Sequence, residues 1–322
     1  MNSLHTNTAA IATLNILRSI NRSLDETQER IATGYRINEA ADNAAYWSIS
    51  ITMRGDIRML DAVQDSLEIG AAVVDTASAG MEASIKVVDE IKAKLVMAAE
   101  PGVDKNKINK ELTELKNQLR SIVLSSSFNG QNWLASGKAG VTTDRTIVSG
   151  FVREANGAVR LRTMTYGSDS VAGTTDVNDL IDYSGNGGSG ILTSGAFAAA
   201  AGYATPYALL KENAGATTTE IALDANTTAT QIAEMTQTVD SMLQQMTDVG
   251  ASLGSLKSRV ESQLEFQKKL SDTLTIGVGR LVDADMNEES ARLKALQAQQ
   301  QLAIQALQIA NSAPDVMLML FR

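Results

Sequence analysis

The chain has 322 residues, a formal net charge of −9 and a pI near 4.8, which argues against nucleic acid or an anionic membrane surface as its main partner. It has no cysteine and one histidine, His5, so thiolate chemistry, Cys/His zinc sites and any His-based triad away from the N-terminus are excluded; no metal or cofactor is expected. Aromatics make up only 4%, and the prolines are Pro101, Pro206 and Pro314, so long helices packed thinly on one another are permitted over most of the chain.

The first residues, Met1 to Thr8, contain neither a basic segment nor an apolar run of signal-peptide length. A secretory signal and a membrane span are therefore not expected, and an extracellular protein would need another route out. From Leu4 to Ile31, apolar residues recur at helical spacing, with Leu17, Leu24 and Ile31 a heptad apart. The amphipathic helix they predict ends near Gly34, and Asn38, Asp42 and Asn43 mark a connector.

A longer helix follows. Leu60, Val63, Leu67, Gly70, Val74, Ala77, Met81, Ser84, Val88, Ile91 and Leu95 alternate steps of three and four until Glu100-Pro101-Gly102 interrupts them. A third helix presents Ile108, Leu112, Leu115, Leu119 and Ile122, and a turn at Phe128-Asn129-Gly130 ends it. Between about Ala135 and Thr228, Gly, Ser, Thr and Ala dominate. The clear signal there is a β-hairpin, Thr146 to Arg153 and Ala158 to Thr165, with Asn156-Gly157 predicting a type I′ turn. The glycine cluster from Gly185 to Gly190 lacks the Lys-Ser/Thr and the strand-loop-helix frame of a phosphate cradle.

The three-four rhythm resumes at Ile232 and runs through Val239, Met246, Val249, Leu253, Leu256 and Val260 to Leu274, a helix roughly 65 Å long at 1.5 Å per residue. Its length matches the helix from Ile49 to Ala98, and chain order makes the two antiparallel. Ile276-Gly277-Val278-Gly279-Arg280 predicts a second connector. From Met286 to Arg322, Leu293, Leu296, Gln300, Ala303, Leu307, Ala310, Pro314, Met317 and Phe321 form a heptad seam, while Leu302, Ile304, Ala306 and Ile309 lie off it. A helix apolar on more than one side needs several partners, so this segment is expected to become ordered on assembly. The parts thus mirror one another about the middle of the chain, and the two ends are expected to meet.

The stretch Glu29-Arg30-Ile31-Ala32-Thr33-Gly34-Tyr35-Arg36-Ile37-Asn38, with Ala40 to Ala45, resembles the N-terminal signature of bacterial flagellins. Phe128-Asn129-Gly130 is similar to the turn after their third helix. Gly279 to Met286 and Val316 to Arg322 resemble their C-terminal signature. Asn43-Ala44-Ala45-Tyr46-Trp47-Ser48-Ile49 resembles the form found in rhizobial flagellins. The resemblance covers about residues 1–135 and 230–322.

It implies a mainly α fold: a long antiparallel coiled-coil helical bundle formed by the N- and C-terminal parts, with a β-hairpin and a small mixed outer module. The expected divisions are an inner-tube helix at 1–34, a connector at 35–45, wall helices at 46–135, the hairpin and solvent-facing module at 136–228, the long wall helix at 229–275, a connector at 276–286 and the second inner-tube helix at 287–322. Leu17, Leu24, Leu296, Leu307 and Met317 would pack the inner tube. Arg36, Asn38 and Asp42 would sit in the connector. Leu67, Val74, Val88, Val249, Leu256 and Val260 would form the wall core.

By the same resemblance the protein would be a structural subunit of the flagellar filament, exported unfolded by a type III apparatus and working outside the cell in swimming. Its partners would be itself, other flagellins, a filament cap, junction proteins and an export chaperone, with no nucleic acid and no membrane insertion. Two receptor-recognition regions depart from the family pattern, so weak host recognition is expected. Ala41, Asn43 and Tyr46 replace the usual Lys, Asp and Gly in the peptide read by plants. Ile91 replaces the usual Arg in the stretch read by animals, where Leu95 and Glu111 match. A hook-filament junction protein of the same family is the alternative. Enzymatic activity is not expected: Asp283, Asp285, Glu288 and Glu289 lie on a connector and a helix start, where capping explains them, and the lone His5 cannot supply HExxH.

Overall fold

The computed structural model describes residues 7–137, 145–154, 156–167, 177–184, 190–212 and 217–320, the last eight of these as backbone only. The helices are α1 (Thr8–Thr33), α2 (Ala44–Ala98), α3 (Lys105–Ser125), α4 (Ala196–Ala200), α5 (Ala229–Val282) and α6 (Met286–Leu320). The strands are β1 (Ala135–Ser136), β2 (Thr146–Arg153), β3 (Val159–Thr165), β4 (Ile181–Asp182), β5 (Tyr207–Ala208) and β6 (Thr219–Glu220). Among the described residues, no helix is long and apolar enough to cross a membrane. The chain divides into two compact units, residues 59–269 and residues 1–58 with 270–322.

In the unit formed by residues 59–269, α2, α3 and α5 share one apolar core. Val63, Leu67, Val74, Ala77, Met81, Val88, Ile91 and Leu95 face Val239, Met242, Met246, Val249, Leu253, Leu256 and Val260, with Ile108, Leu112, Leu119 and Val123 of α3 closing the side. The three-four spacing puts these residues on one stripe, and burying a stripe of Leu, Val and Met removes about 1.5–3 kcal/mol of apolar exposure per side chain. The ion pairs Glu68–Lys268 (3.6 Å), Asp75–Lys257 (2.7 Å) and Lys92–Asp240 (2.5 Å) fix α2 and α5 as antiparallel, because one number rises as the other falls. All six residues expected in the wall core, Leu67, Val74, Val88, Val249, Leu256 and Val260, are buried here.

The β2–β3 hairpin lies against α2 and α5. Ile147 packs on Gly70, where a Cβ would come within 2.6 Å of its Cγ2, so only glycine lets the strand approach this closely. Gln263 and Gln267 donate from Nε2 to the Ser149 carbonyl at 2.9 and 3.0 Å, beside an irregularity between Val148 and Gly150. The turn differs from expectation. Gly157 has φ 86°, and the Glu154 carbonyl accepts from Gly157 N at 2.9 Å, a closing bond that puts Gly157 at the last position of its turn and not at a central one as a type I′ turn on Asn156-Gly157 requires. Both residues are left-handed instead at Asn129 (φ 49°) and Gly130 (φ 78°), where Phe128 and Gln131 exchange two 2.9 Å bonds.

The rest of this unit is a small mixed module with two-residue parallel pairings, β1 with β4 and β5 with β6. Two buried cations are paired here: Arg145 with Asp179, and Lys116 of α3 with Glu220 (2.9 Å) and the Ile221 carbonyl. Burial pushes the Lys116 ammonium below its usual range, partly offset by Glu220. The Trp133 and Tyr166 rings stack at 5.6 Å, and burial pushes the Tyr166 hydroxyl up to about 12. Of the glycine cluster expected as a loop, residues 185–189 lie outside the described residues.

Candidate assembly surface

The unit formed by residues 1–58 and 270–322 brings the two chain ends together. Asn7 caps α1 by accepting from Ala10 N through its side chain, and donates from Nδ2 to the Ala310 carbonyl at 2.7 Å. Gln300 Nε2 donates to Asn21 Oδ1 at 2.8 Å, and Arg30 pairs with Glu289 at 3.3 Å. Position numbers again fall on one helix as they rise on the other, so α1 and α6 are antiparallel in a single register. The segment expected to become ordered only on assembly is already helical and paired within one chain.

The pairing covers only part of the apolar surface. Leu24 and Ala303 are buried, while Leu17, Leu296 and Leu307 are half-buried. Ile16, Leu302 and Ile309 are 57%, 64% and 71% exposed, and Ile11 and Ile304 are also exposed. One partner helix covers one seam of α6, and the residues off the seam are left in water. The side chain of Met317 lies outside the described residues.

Between the terminal helices and the longer ones, the two signature stretches meet. Gly34, with φ 76°, ends α1 in the left-handed conformation, its N–H donating to the Arg30 carbonyl at 2.8 Å. Arg36 N donates to the Val282 carbonyl at 2.7 Å, Ala284 N to the Gly34 carbonyl at 2.9 Å, and Arg36 Nη2 to the Leu281 carbonyl at 2.9 Å. Ile37, Val278 and Val282 form a second small core, with Tyr35, Trp47, Met53, Ile57 and Leu281 packed around it. The Arg54 guanidinium lies 4.8 Å from the centre of the Tyr35 ring.

The Asp42 carboxylate accepts from Asn38 N (2.8 Å) and Glu39 N (3.1 Å), and these backbone donors, Glu39 first, hold its pKa below the usual carboxylate range. Asn38 reaches Glu29 at 3.5 Å, and Asn43 Oδ1 accepts from Ala45 N and Tyr46 N at the start of α2. Arg36, Asn38 and Asp42 therefore share one connector, which they organise through backbone contacts.

Two sequence expectations are corrected. Ile276 to Arg280 do not interrupt α5, which runs on to Val282. Gly277 is helical, and a Cβ there would approach Met53 Cε to 3.3 Å. The break falls at Asp283 to Asp285, where Asp285 Oδ1 accepts from Asn287 N and Glu288 N and starts α6. Ile91 is fully buried in the helix core, so no partner can read it in the folded chain. The same holds for Leu95. The exposed positions in that stretch include Glu90 and Met97, and Lys94 pairs with Glu111 at 2.7 Å. Ala41, Asn43 and Tyr46 are exposed.

Sequence reasoning missed the Ile37–Val278–Val282 core and the Arg30–Glu289 pair. The signals were present but short: Val278 and Val282 lie one helical turn apart, and Trp47 opens a helix that is otherwise poor in aromatics. Glu289, read as a helix-start charge, is buried, and Glu288 makes the exposed pair with Arg292 at 3.2 Å.

Residues 4–139 match the family model of the bacterial flagellin N-terminal helical region, and residues 236–321 that of the C-terminal helical region. The chain is 49% identical to Flagellin C of Rhizobium meliloti strain 1021 and 42% identical to Flagellin A of the same strain. It is 38% identical to the flagellin of Brucella melitensis biotype 1. In each case 100% of both chains is covered.

Proposed function

The chain belongs to the bacterial flagellin family, and from that premise we propose that it is a structural subunit polymerising through its terminal helices into the extracellular filament of a bacterial flagellum. The observation that carries this reading is the antiparallel α1–α6 pair that leaves Ile16, Leu302 and Ile309 uncovered. An apolar surface of this kind on a helix pair is stable in water when other helices cover it. Leu17, Leu24, Leu296, Leu307 and Met317 would then line the inner tube, and the α2–α3–α5 core would belong to the filament wall. The junction-protein alternative is not favoured, since the full-length relatives above carry the name flagellin.

Export through the flagellar type III apparatus, a role in swimming, and contacts with a cap, junction proteins and an export chaperone belong to the same proposal. A cysteine-free chain suits passage through a narrow channel before folding. Host receptor recognition is proposed to be weak. Ala41, Asn43 and Tyr46 face solvent in the N-terminal stretch, and Glu90 to Met97 contains no arginine. A dose response equal to that of a strongly stimulating flagellin would overturn that part.

Sedimentation and negative-stain microscopy, before and after ammonium sulfate seeding, test the main reading beside a version lacking Met286 to Arg322. Filaments are expected from the full chain alone. A full chain that stays monomeric, with a stability the truncation does not change, would reject it.

A further inference from the structure

Two Asn-Gly pairs lie at described turns, both exposed to water, and the turns hold them differently; Asn186-Gly187 lies outside the described residues. Asn129 and Gly130 are both left-handed, and Phe128 and Gln131 exchange two 2.9 Å backbone bonds around them. The next side chain, Asn132, is buried, donating from Nδ2 to the Val123 carbonyl at 2.7 Å and accepting from Leu134 N and Ala135 N through Oδ1. That buried anchor and the paired bonds resist rotation of the Asn129 backbone.

At the tip of the β2–β3 hairpin the arrangement is the reverse. Asn156 Oδ1 accepts from Ala158 N at 2.8 Å, and Asn156 Nδ2 donates to Glu154 Oε2 at 3.3 Å. A side-chain oxygen that reaches the amide two residues on folds over its own following peptide bond, which carries Cγ toward Gly157 N. The Ala158 N–H polarises the Cγ carbonyl and is placed to hold the negative charge that its oxygen gains when Cγ is attacked. Gly157 brings no Cβ to hinder its nitrogen, and even an added one would meet nothing within 4 Å. The bond from Gly157 N to the Glu154 carbonyl must open first, and it lies at the exposed tip.

We propose that Asn156 is a self-modification site, at which the chain closes Asn156 and Gly157 into a cyclic imide and then opens it as aspartate or isoaspartate, while Asn129 is protected. Gly157 N gives its proton to water or hydroxide and attacks Asn156 Cγ. The new C–N bond forms, the bond from Cγ to Nδ2 breaks, and Nδ2 leaves as ammonia with a proton returned from water. Water then adds to either carbonyl of the imide and opens the ring. Nothing is oxidised or reduced; the sum is one water consumed, one ammonium released and one carboxylate gained. That carboxylate forms beside Arg153, whose Nη1 lies 3.3 Å from the Gly157 carbonyl, and beside Arg160, now bound to Glu154 at 2.6 Å. The isoaspartate product also lengthens the backbone by one carbon between Arg153 and Val159, which pair across the hairpin. The site needs no partner and is independent of the filament reading.

The test uses the full chain, incubated folded and in concentrated urea at the same mildly alkaline pH. Peptide mass spectrometry follows the loss of each amide, and methylation by an isoaspartyl methyltransferase counts the isoaspartate independently. In the folded chain Asn156 should be lost roughly tenfold faster than Asn129, a modest fraction of what an oxyanion donor supplies in a rigid site. In urea the two should react at similar rates. An Asn156 amide lost no faster than that of Asn129 in the folded chain overturns the assignment. A urea ratio as large as the folded one also overturns it, since the difference would then belong to sequence neighbours and not to the turn. Ala158→Pro removes the polarising N–H and should slow the loss at Asn156 while leaving the Asn129 rate unchanged; an unchanged rate at Asn156 would reject the role given to that N–H.

Discussion

Arg30 and Glu289, 259 residues apart in the chain, meet at 3.3 Å where α1 and α6 approach the connector. The Arg30 side chain is 28% exposed and that of Glu289 7%, and one Glu289 oxygen has no partner. The pair is therefore unequal. Removing the arginine strands a buried carboxylate, whereas removing the carboxylate leaves an arginine that can turn to water.

Arg30→Met should accordingly cost about 1–3 kcal/mol, and Glu289→Met considerably less. Urea denaturation of the unpolymerised chain, following the far-UV signal, measures both. Equal losses would show that the pair owes its position to helix packing alone.

Asp42 gives the connector a pH dependence of known sign. Its folded pKa lies below the ordinary value of 3.8 because Glu39 N and Asn38 N donate to it. A carboxylate with a depressed folded pKa stabilises the fold above its unfolded pKa, and that stabilisation disappears as pH falls from about 4 through the lower folded value. Asp42→Asn should therefore lower the thermal midpoint at pH 7, and the gap from the unmodified chain should close in acid. The effect is small, since the site is solvent-exposed. A gap that widens on acidification would contradict the assignment.

At Gly70 the prediction is steric. A Cβ there meets Ile147 Cγ2 at 2.6 Å, so Gly70→Ala should destabilise the chain by about 1–3 kcal/mol despite alanine's better helix propensity. Ile147→Ala removes the clashing atoms. The glycine substitution should then become neutral or stabilising in that background, a coupling that a double-mutant cycle reads directly.

Much of this architecture was legible because helices write a long, repetitive signal. Leu67, Val74 and Met81, spaced by seven, named the buried side of α2, and the matching run on α5 placed its partner. Turn and connector chemistry was harder to read. Gly277 and Gly279 carry the local mark of a break, yet α5 runs on through them to Val282, and Asp285 starts the next helix. Asn156-Gly157 has the composition of a type I′ turn, but the hairpin closes differently around it. The pairs Arg145–Asp179 and Lys116–Glu220 join residues far apart with no periodic pattern, so nothing in the sequence linked one member to the other. Ile91 shows the same difference at a candidate site: matching by spacing put it on a recognition surface, and the three-four phase of α2 turns it inward.

The terminal helices offer a separation between folding and assembly. Leu24 is buried within one chain, whereas Leu302 and Ile309 are largely exposed in it. Leu24→Ala should therefore destabilise the single chain by about 2–4 kcal/mol, through lost burial and the cavity left behind. Leu302→Ser and Ile309→Ser should leave its melting curve nearly unchanged, because surface substitutions away from special features fall within about 0.5 kcal/mol. In an assembly the ranking reverses. Each serine would put a hydroxyl where a neighbouring helix is expected, losing about 1.5–3 kcal/mol of burial at every repeat of the polymer, so polymerisation should fail at concentrations where the unmodified chain forms filaments. Differential scanning calorimetry of the monomer and pelleting of seeded protein measure the two properties on the same samples. If the serine variants assemble normally, the exposed side of α6 is not an assembly surface, and the driving contacts lie elsewhere in the chain.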